Sequence, residues 1–397
     1  MRKMKRIEFN SKKLIRQAAA VLSAAAVFGV SVSAFEFPEP DWGAILAERE
    51  VMVNEVDLEL YAEDAVDSAP YYGAKLEPRG GTYLGMVTEN SEQFAPVGSY
   101  LTYIDRMIPW IYIPANQMIR DGNSIATVAL NIRDTNVDYS RARRVFDYLA
   151  GYNKPMLIRV AGEMSEFQIG EDPEKFIEIF RNLANMIHEY DNLAVVWSPL
   201  DLGNLTRPYH YYYPGDEYVD WVGVSSYAIK YFQGNPDTSY VDSVYFMTGD
   251  NAWITNRLKP FMRFLDENNI KKPVMLSECG IATENQQGED LTSWASPRFR
   301  DLFWSVIMKY PQVKLINYFN AKTYEHHTYY ISDREYVKNI YASAASSGAY
   351  IREIGGAAQF VFSRVGDAKA VRIRNGRLPL YALAHIPGDR KSQCRRH

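Results

Sequence analysis

Two glutamates far apart in the chain, Glu163 and Glu278, each stand at the end of a short apolar run: Pro155-Met-Leu-Ile-Arg-Val-Ala-Gly-Glu163 and Pro273-Val-Met-Leu-Ser-Glu278. Both runs open after a Lys-Pro step, and a proline drives the residue before it out of helical conformation, so a preceding helix stops there. The runs are too short for helices and apolar enough to need cover on both faces. That combination describes buried strands of a parallel sheet flanked by helices. Two carboxyl groups carried to the ends of parallel strands can do acid/base and nucleophilic work on a glycosidic bond with no metal or organic cofactor, and none is expected. Retention of configuration needs the pair about 5 to 5.5 Å apart, one carboxyl protonating the leaving oxygen and the other ionised to attack carbon. Glu163 is assigned as the acid/base and Glu278 as the nucleophile. One isolated glutamate would read as a solvated loop residue; matched placement on two strand ends favours chemistry.

The elements that must position them follow an alternating pattern from Gly81 onward. Strands are expected at Tyr83–Thr88, Met107–Ile113, Ile125–Ile132, Met156–Val160, Leu193–Ser198, Val219–Ser225, Val274–Ser277 and Val313–Phe319. Helical spacing marks Ala142, Val145, Phe146 and Leu149, then Phe176, Phe180, Leu183, Ala184 and Ile187 behind an Asp172-Pro173 cap, and later Leu258, Phe261, Phe264 and Leu265. Further helices are expected at about 297–309 and 333–345. Alternating strands and helices with right-handed crossovers close into a (β/α)8 TIM barrel, an α/β fold, over residues 80–348. Residues 35–79, rich in acids and prolines, read as an extended lead-in. After Gly348 the pattern turns to alternation, as in Ala358–Phe362 and Ala370–Arg374 before the Asn375-Gly376 turn, so residues 349–397 read as a short C-terminal β segment, the truncated start of an accessory module.

A net charge of -4 without a basic stripe argues against a nucleic-acid partner. Residues 1–34 read as a signal peptide: basic residues from Arg2 to Arg16, an apolar stretch Ala18–Val30, and Val32-Ser33-Ala34 as a cleavage site. The apolar stretch is shorter than the roughly 20 residues a bilayer requires, so no stable membrane insertion is expected after cleavage and the mature chain is expected to be secreted. With Cys279 and Cys394 the only cysteines, no disulfide framework is expected. The His326-His327 pair has no third ligand in register, and no metal site is expected. Nothing bears on oligomeric state. Tyrosine is abundant, with 29 Tyr against 18 Phe and 7 Trp, and such amphipathic rings suit platforms for sugar faces.

Four segments in order, Arg159-Val-Ala-Gly-Glu163-Met164, Val196-Trp197-Ser-Pro199, Tyr213-Pro-Gly-Asp-Glu-Tyr-Val-Asp-Trp221-Val-Gly-Val-Ser-Ser-Tyr227 and Lys272-Pro-Val-Met-Leu-Ser-Glu278-Cys-Gly280, resemble glycoside hydrolase family 26, over roughly residues 80–345. The resemblance implies a retaining barrel enzyme acting on a β-linked polysaccharide, β-1,4-mannan first, with Glu163 and Glu278 in the roles already given and Tyr227 donating its hydroxyl to the nucleophile. Arg159, Trp197, Tyr213, Trp294 and Tyr318 join Tyr227 as candidate substrate-binding residues; Arg159 could orient a carboxylate, and Tyr318 or Phe319 stands where the family commonly has a tryptophan. Trp221, inside a strand, reads as core. Mannanases of the family usually carry His where Gly162 stands and Asn where Ser165 stands, with a Trp a little further on. These departures bear on the glycan more than on the reaction, and leave a β-glucanase, a xylanase or an exopolysaccharide hydrolase open. Two other classes compete: a carbohydrate-binding barrel without turnover, and a Schiff-base lyase or aldolase. The latter would need a lysine within a strand end, and Lys230 and Lys322 lie beyond theirs.

Overall fold

The computed structural model describes residues 62–88, 98–105, 124–201, 207–228, 258–285, 287–322, 328–331 and 334–352. The segment expected to be a signal peptide, the strand expected at Met107–Ile113, Lys230, His326-His327 and the alternating segments after residue 352 lie outside them. Eight parallel strands form a closed ring: β1 (Thr82–Thr88), β2 (Ser99–Asp105), β3 (Ile125–Asn131), β4 (Met156–Val160), β5 (Leu193–Trp197), β6 (Trp221–Ala228), β7 (Val274–Ile281) and β8 (Val313–Asn320), each paired with the next, β8 with β1 and β1 with β2. This is the TIM barrel. A two-residue strand, β9 (Tyr350–Ile351), adds to the first residues of β1, and it is all of the C-terminal β segment that the described residues contain.

The second strand is Ser99–Asp105, earlier than the sequence pattern placed it. Ser99, Leu101 and Tyr103 alternate with Tyr100, Thr102 and Ile104, a period-2 pattern that the continuous apolar run after it outweighs on paper.

The helices form where caps and apolar stripes coincide. Asp138 and Asp172 accept from the amides of Arg141 and Lys175 and start α1 (Tyr139–Ala150) and α2 (Pro173–Ile187), whose expected stripes are buried. After α3 (Lys259–Glu267), α4 (Thr292–Arg300) runs through a π turn at Asp301–Ser305 into α5 (Val306–Lys309), so this helix begins well before Pro297 and carries that proline inside it. The last is α6 (Glu335–Ser346). Between β5 and β6 the described residues hold short 3-10 turns at Tyr209–Tyr211 and Asp216–Tyr218 in place of a regular helix.

The lead-in is not extended up to the barrel. Residues 62–67 are helical, and Leu76, held at φ 65°, closes the amino-terminal end of the barrel against Tyr83, Ile125, Leu157, Trp221, Met275 and Leu315. Trp221 is core, its Nε1 donating to the Lys75 carbonyl at 2.7 Å. Above this apolar floor lies a layer of small polar side chains: Ser99 bonds Thr127 at 3.1 Å, and Ser198 donates to Ser277 at 2.7 Å. Near the start of β8, Lys314 is fully buried and its Nζ finds no hydrogen-bond partner among the described residues.

Candidate active site

At the carboxyl end of β4 the chain must turn sharply to bring a long acidic side chain over the barrel axis. Ala161 and Glu163 both take left-handed backbone conformations, φ 43° and 57°, each costing about 1 to 3 kcal/mol for a residue with a side chain. Tertiary hydrogen bonds hold the turn: the Ala161 amide donates to Leu130 O at 3.0 Å and the Glu163 amide to Ser198 O at 2.9 Å. Glu278 reaches the same mouth by a different device. Leu276 pairs with Val224 and Glu278 with Ser225, so Ser277 is an extra residue, a β-bulge. Ser277 faces inward onto Ser198. On a regular strand Glu278 would therefore point outward, and the bulge re-aims it into the barrel.

Arg159, buried in the barrel, ties the two carboxylates together. Its Nη2 donates to Glu163 Oε1 at 2.8 Å and its Nη1 to Glu278 Oε1. Nε donates to Ser198 Oγ at 3.1 Å and Nη2 also to Ser225 Oγ at 2.7 Å. Four of the five guanidinium donors are thus engaged, as a buried cation requires. The other oxygen of Glu278, Oε2, accepts from Tyr103 Oη at 2.9 Å and Tyr227 Oη at 3.0 Å.

Burial pushes the Glu278 carboxyl above the ordinary glutamate range; the Arg159 charge pulls it back, the Glu163 charge adds to the rise, and the two phenols oppose it. Every group hydrogen-bonded to Glu278 is a donor, so the ionised form is the one this shell satisfies. Burial would lower the Arg159 value, but the charges of Glu278 and Glu163 overcome it and hold the guanidinium above its usual range. Burial, then the Glu278 charge, raises both Tyr103 and Tyr227, which stay protonated donors.

Of the candidates from sequence, Arg159, Glu163, Tyr227 and Glu278 come together. Trp197, Tyr213 and Tyr318 do not, and their placement as sugar contacts is corrected. Val196 faces the barrel interior, so its neighbour Trp197 faces outward, fully buried against Tyr209, Tyr213, Phe261 and Phe264. Tyr213 bonds Asp216 at 2.6 Å in the segment leading into β6, where Lys272, just before β7, donates to the Asp216 carbonyl; this is the amino-terminal end of the barrel. Tyr318 is buried between barrel and helices against Phe299 and Phe303 and donates to Tyr329 O. One residue on, Phe319 faces the mouth, edge-on to Tyr227 at 5.8 Å. Trp294, on α4, packs on the core with the Arg298 guanidinium 4.0 Å above its ring. Sequence reasoning missed Tyr103, because β2 was placed too late, and it missed Ser198 and Ser225, which accept from Arg159; a lone serine within or just after an otherwise apolar strand was the available signal.

A cavity of about 640 Å³ opens at the carboxyl ends of β2 and β3, lined by Asp105, Asn131, Arg133, Asp134, Asn136, Asp138 and Arg141 among others. Asn131 donates to Asp105 at 2.9 Å, and Arg133 lies 5.1 Å above the Phe167 ring. Among the described residues no group of His, Cys, Asp and Glu could hold a metal ion, and no helix is long and apolar enough to cross a membrane.

Residues 141–309 match the family model for glycosyl hydrolase family 26. A β-1,3-xylanase from Alcaligenes sp. is 30% identical over 112 residues, 26% of this chain and 22% of that protein, so the chain spans about a fifth of the length of this curated relative. Among solved structures, the modular endo-β-1,4-mannanase of Cellulomonas fimi has a TM-score of 0.47 at 14% identity, covering 74% of each chain. A family 26 β-mannanase from Bacteroides ovatus has 0.48 at 13%, covering 79% of this chain and 98% of that one.

Proposed function

Glycosyl hydrolase family 26 is the family to which this chain belongs through residues 141–309, and on that footing we propose that it cleaves a β-linked polysaccharide by double displacement with retention, acting internally on β-1,4-mannan. The observation that carries the reading is one buried guanidinium holding both Glu163 and Glu278 at the carboxyl end of the barrel. Carboxylates bridged by a single planar cation sit close together, and a direct attack needs the closer of the two spacings that glycosidases use. Glu278, surrounded by donors, attacks the anomeric carbon as carboxylate. Glu163, with Oε2 free of any described hydrogen bond, protonates the departing oxygen and then takes the proton of the incoming water. The polar cavity at the ends of β2 and β3 opens at the same end of the barrel as the pair, which supports a bound chain extending past the cleavage point. The basic and apolar residues of 1–34 support action outside the cell.

A second reading, β-1,3-xylan as substrate, is favoured by the Alcaligenes relative, whose name is β-1,3-xylanase. Mannan, glucomannan, mixed-linkage glucan, β-1,4-xylan and β-1,3-xylan assayed for new reducing ends decide between them. Hydrolysis that starts with a β-configured product and disappears in Glu278→Ala with binding kept is the expected result; kcat/KM should fall as pH drops through a Glu278 value above the ordinary glutamate value of about 4.3. Binding without turnover in the wild type would sink the enzyme reading and leave a carbohydrate-binding barrel.

A further inference from the structure

The resemblance to family 26 implies one tyrosine on the nucleophile, Tyr227; the structure holds two. Tyr103 comes from β2, on the opposite side of the mouth from β6, and its hydroxyl reaches the same oxygen, Glu278 Oε2, at 2.9 Å against 3.0 Å for Tyr227. Its ring lies beside Val87, Leu101, Ala129 and Phe319, a small apolar cluster near the barrel's mouth. The arrangement divides the carboxylate. A carboxylate oxygen has two lone pairs, and on Oε2 two phenols take both. On Oε1, Arg159 Nη1 takes one, and no other described residue donates to that oxygen.

We propose that Tyr103 is a positioning residue for the nucleophile: with Tyr227 it fixes Oε2 as the oxygen that does not attack, and leaves Oε1 to bond the anomeric carbon. This rests on the retaining reading above. In the first step an Oε1 lone pair forms the bond to the anomeric carbon as the bond to the leaving oxygen breaks, and that oxygen takes the proton of Glu163. Oε2 is then the carbonyl oxygen of a glycosyl ester, with less negative charge for the phenols to bond. In the second step water attacks the anomeric carbon and gives its proton to Glu163, and the electron pair of the breaking carbon–Oε1 bond returns to Glu278. The returning negative charge is shared over both carboxylate oxygens, and the share on Oε2 meets both phenols. Tyr103 therefore helps release Glu278 as a leaving group, while in the first step it holds the nucleophile in place at some cost in nucleophilicity.

The test is Tyr103→Phe, which removes one hydroxyl and keeps the ring, compared with Tyr227→Phe. A hydrogen bond to a charged group is worth roughly 10- to 100-fold. With a β-aryl glycoside carrying a good leaving group, kcat should fall by about that factor, KM should fall with it, and kcat/KM should stay within about threefold at the optimum. A burst of released phenol equal to the enzyme concentration should appear as the glycosyl-enzyme accumulates. The acid limb of kcat/KM should move to higher pH, because the ionised carboxylate loses a donor while Arg159, Glu163 and Tyr227 remain around it. Equal losses in kcat and kcat/KM without a burst, or no change in either, would overturn the proposal; an unchanged melting temperature shows that the barrel is intact. Should the wild type hydrolyse no glycan, the retaining reading fails by itself. The contact is then read from the carboxyl carbon of Glu278 in protein labelled with ¹³C-glutamate: titration at higher pH in Tyr103→Phe than in wild type keeps the hydrogen bond, and superimposed curves remove it.

Discussion

Gly162, between the cation and the acid, is where a single methyl group should do the most damage. A Cβ built there would lie 2.4 Å from Arg159 Nε, 2.6 Å from Cζ and 2.9 Å from Nη2. An arginine at a surface would swing aside, but this guanidinium is pinned by Ser198, Ser225, Glu163 and Glu278. Restoring ordinary contact distances needs a shift of about 1 Å, and a misplacement of that size in a catalytic constellation costs about 100-fold in rate. In stability, overpacking a filled interior costs about 1 to 3 kcal/mol, and each charge-assisted hydrogen bond that the shift weakens adds up to about 1.5 to 3 kcal/mol. Gly162→Ala should therefore lose roughly 2 to 4 kcal/mol, which at about 2 to 4 °C per kcal/mol lowers the melting temperature by roughly 5 to 15 °C. Thermal unfolding by circular dichroism and kcat/KM on the preferred glycan read the two effects in one preparation. A variant melting within about 1 °C of wild type with kcat/KM within about twofold would refute the reasoning, since it would mean that Arg159 yields freely and does not order the carboxylates. The same reasoning applies to the histidine that the resemblance leads one to expect at this position: with Arg159 where it is, a larger side chain has no room.

Two further outcomes separate stability from chemistry. Lys314→Met removes a buried ammonium with no hydrogen-bond partner among the described residues, while the nearby Glu77 keeps the amides of Tyr72 and Ala74; the variant should be about 1 to 3 kcal/mol more stable at pH 7, measured by denaturant unfolding. Burial lowers the Lys314 value, with Glu77 opposing. The stability of the wild type should then rise as pH climbs from the lowered folded value toward the ordinary lysine value of about 10.4, narrowing the gap to the variant, whereas a gap independent of pH would contradict this. Trp197→Phe should lower stability by about 1 to 3 kcal/mol through lost packing and leave KM within about twofold, since the indole lies between barrel and helices; a large rise in KM would return it to the sugar site.

The barrel was legible because its strands are mostly apolar and its best helices carry an apolar stripe; β4 has the expected bounds, and the stripes expected for α1 and α2 are buried. Glu163 and Glu278 were legible as strand-end acids. What stayed hidden was which way each side chain points. A period-2 strand puts neighbours on opposite faces, so choosing Trp197 over Val196 or Tyr318 over Phe319 needs the phase of the strand, and an apolar strand buried on both sides shows none. The bulge at Ser277 hides from pattern reading for the same reason: it changes the phase without changing the composition. Tyr103 was lost to a longer apolar run that followed it.

The chemistry at the mouth depends on the layer beneath it. A guanidinium can be buried in a barrel only where its donors are met, and no long side chain could share that space with it. Three serines, Ser198 on the turn after β5, Ser225 on β6 and Ser277 on β7, supply that: two accept directly from Arg159, and the third accepts from Ser198, leaving the Ser198 lone pairs for Arg159 Nε. Gly223 extends the same economy of volume, since a Cβ there would sit 2.1 Å from Ser277 Oγ. Small polar residues at successive inward positions thus set where the cation lies, the cation sets where two acids from non-adjacent strands meet, and the left-handed turn at Glu163 and the bulge at Ser277 bring those acids to it. Valine at 198 or 225 would leave a donor of Arg159 unmet, and valine at 277 would leave the Ser198 hydroxyl without its acceptor, so the hydroxyl layer belongs to the site as much as the carboxylates do.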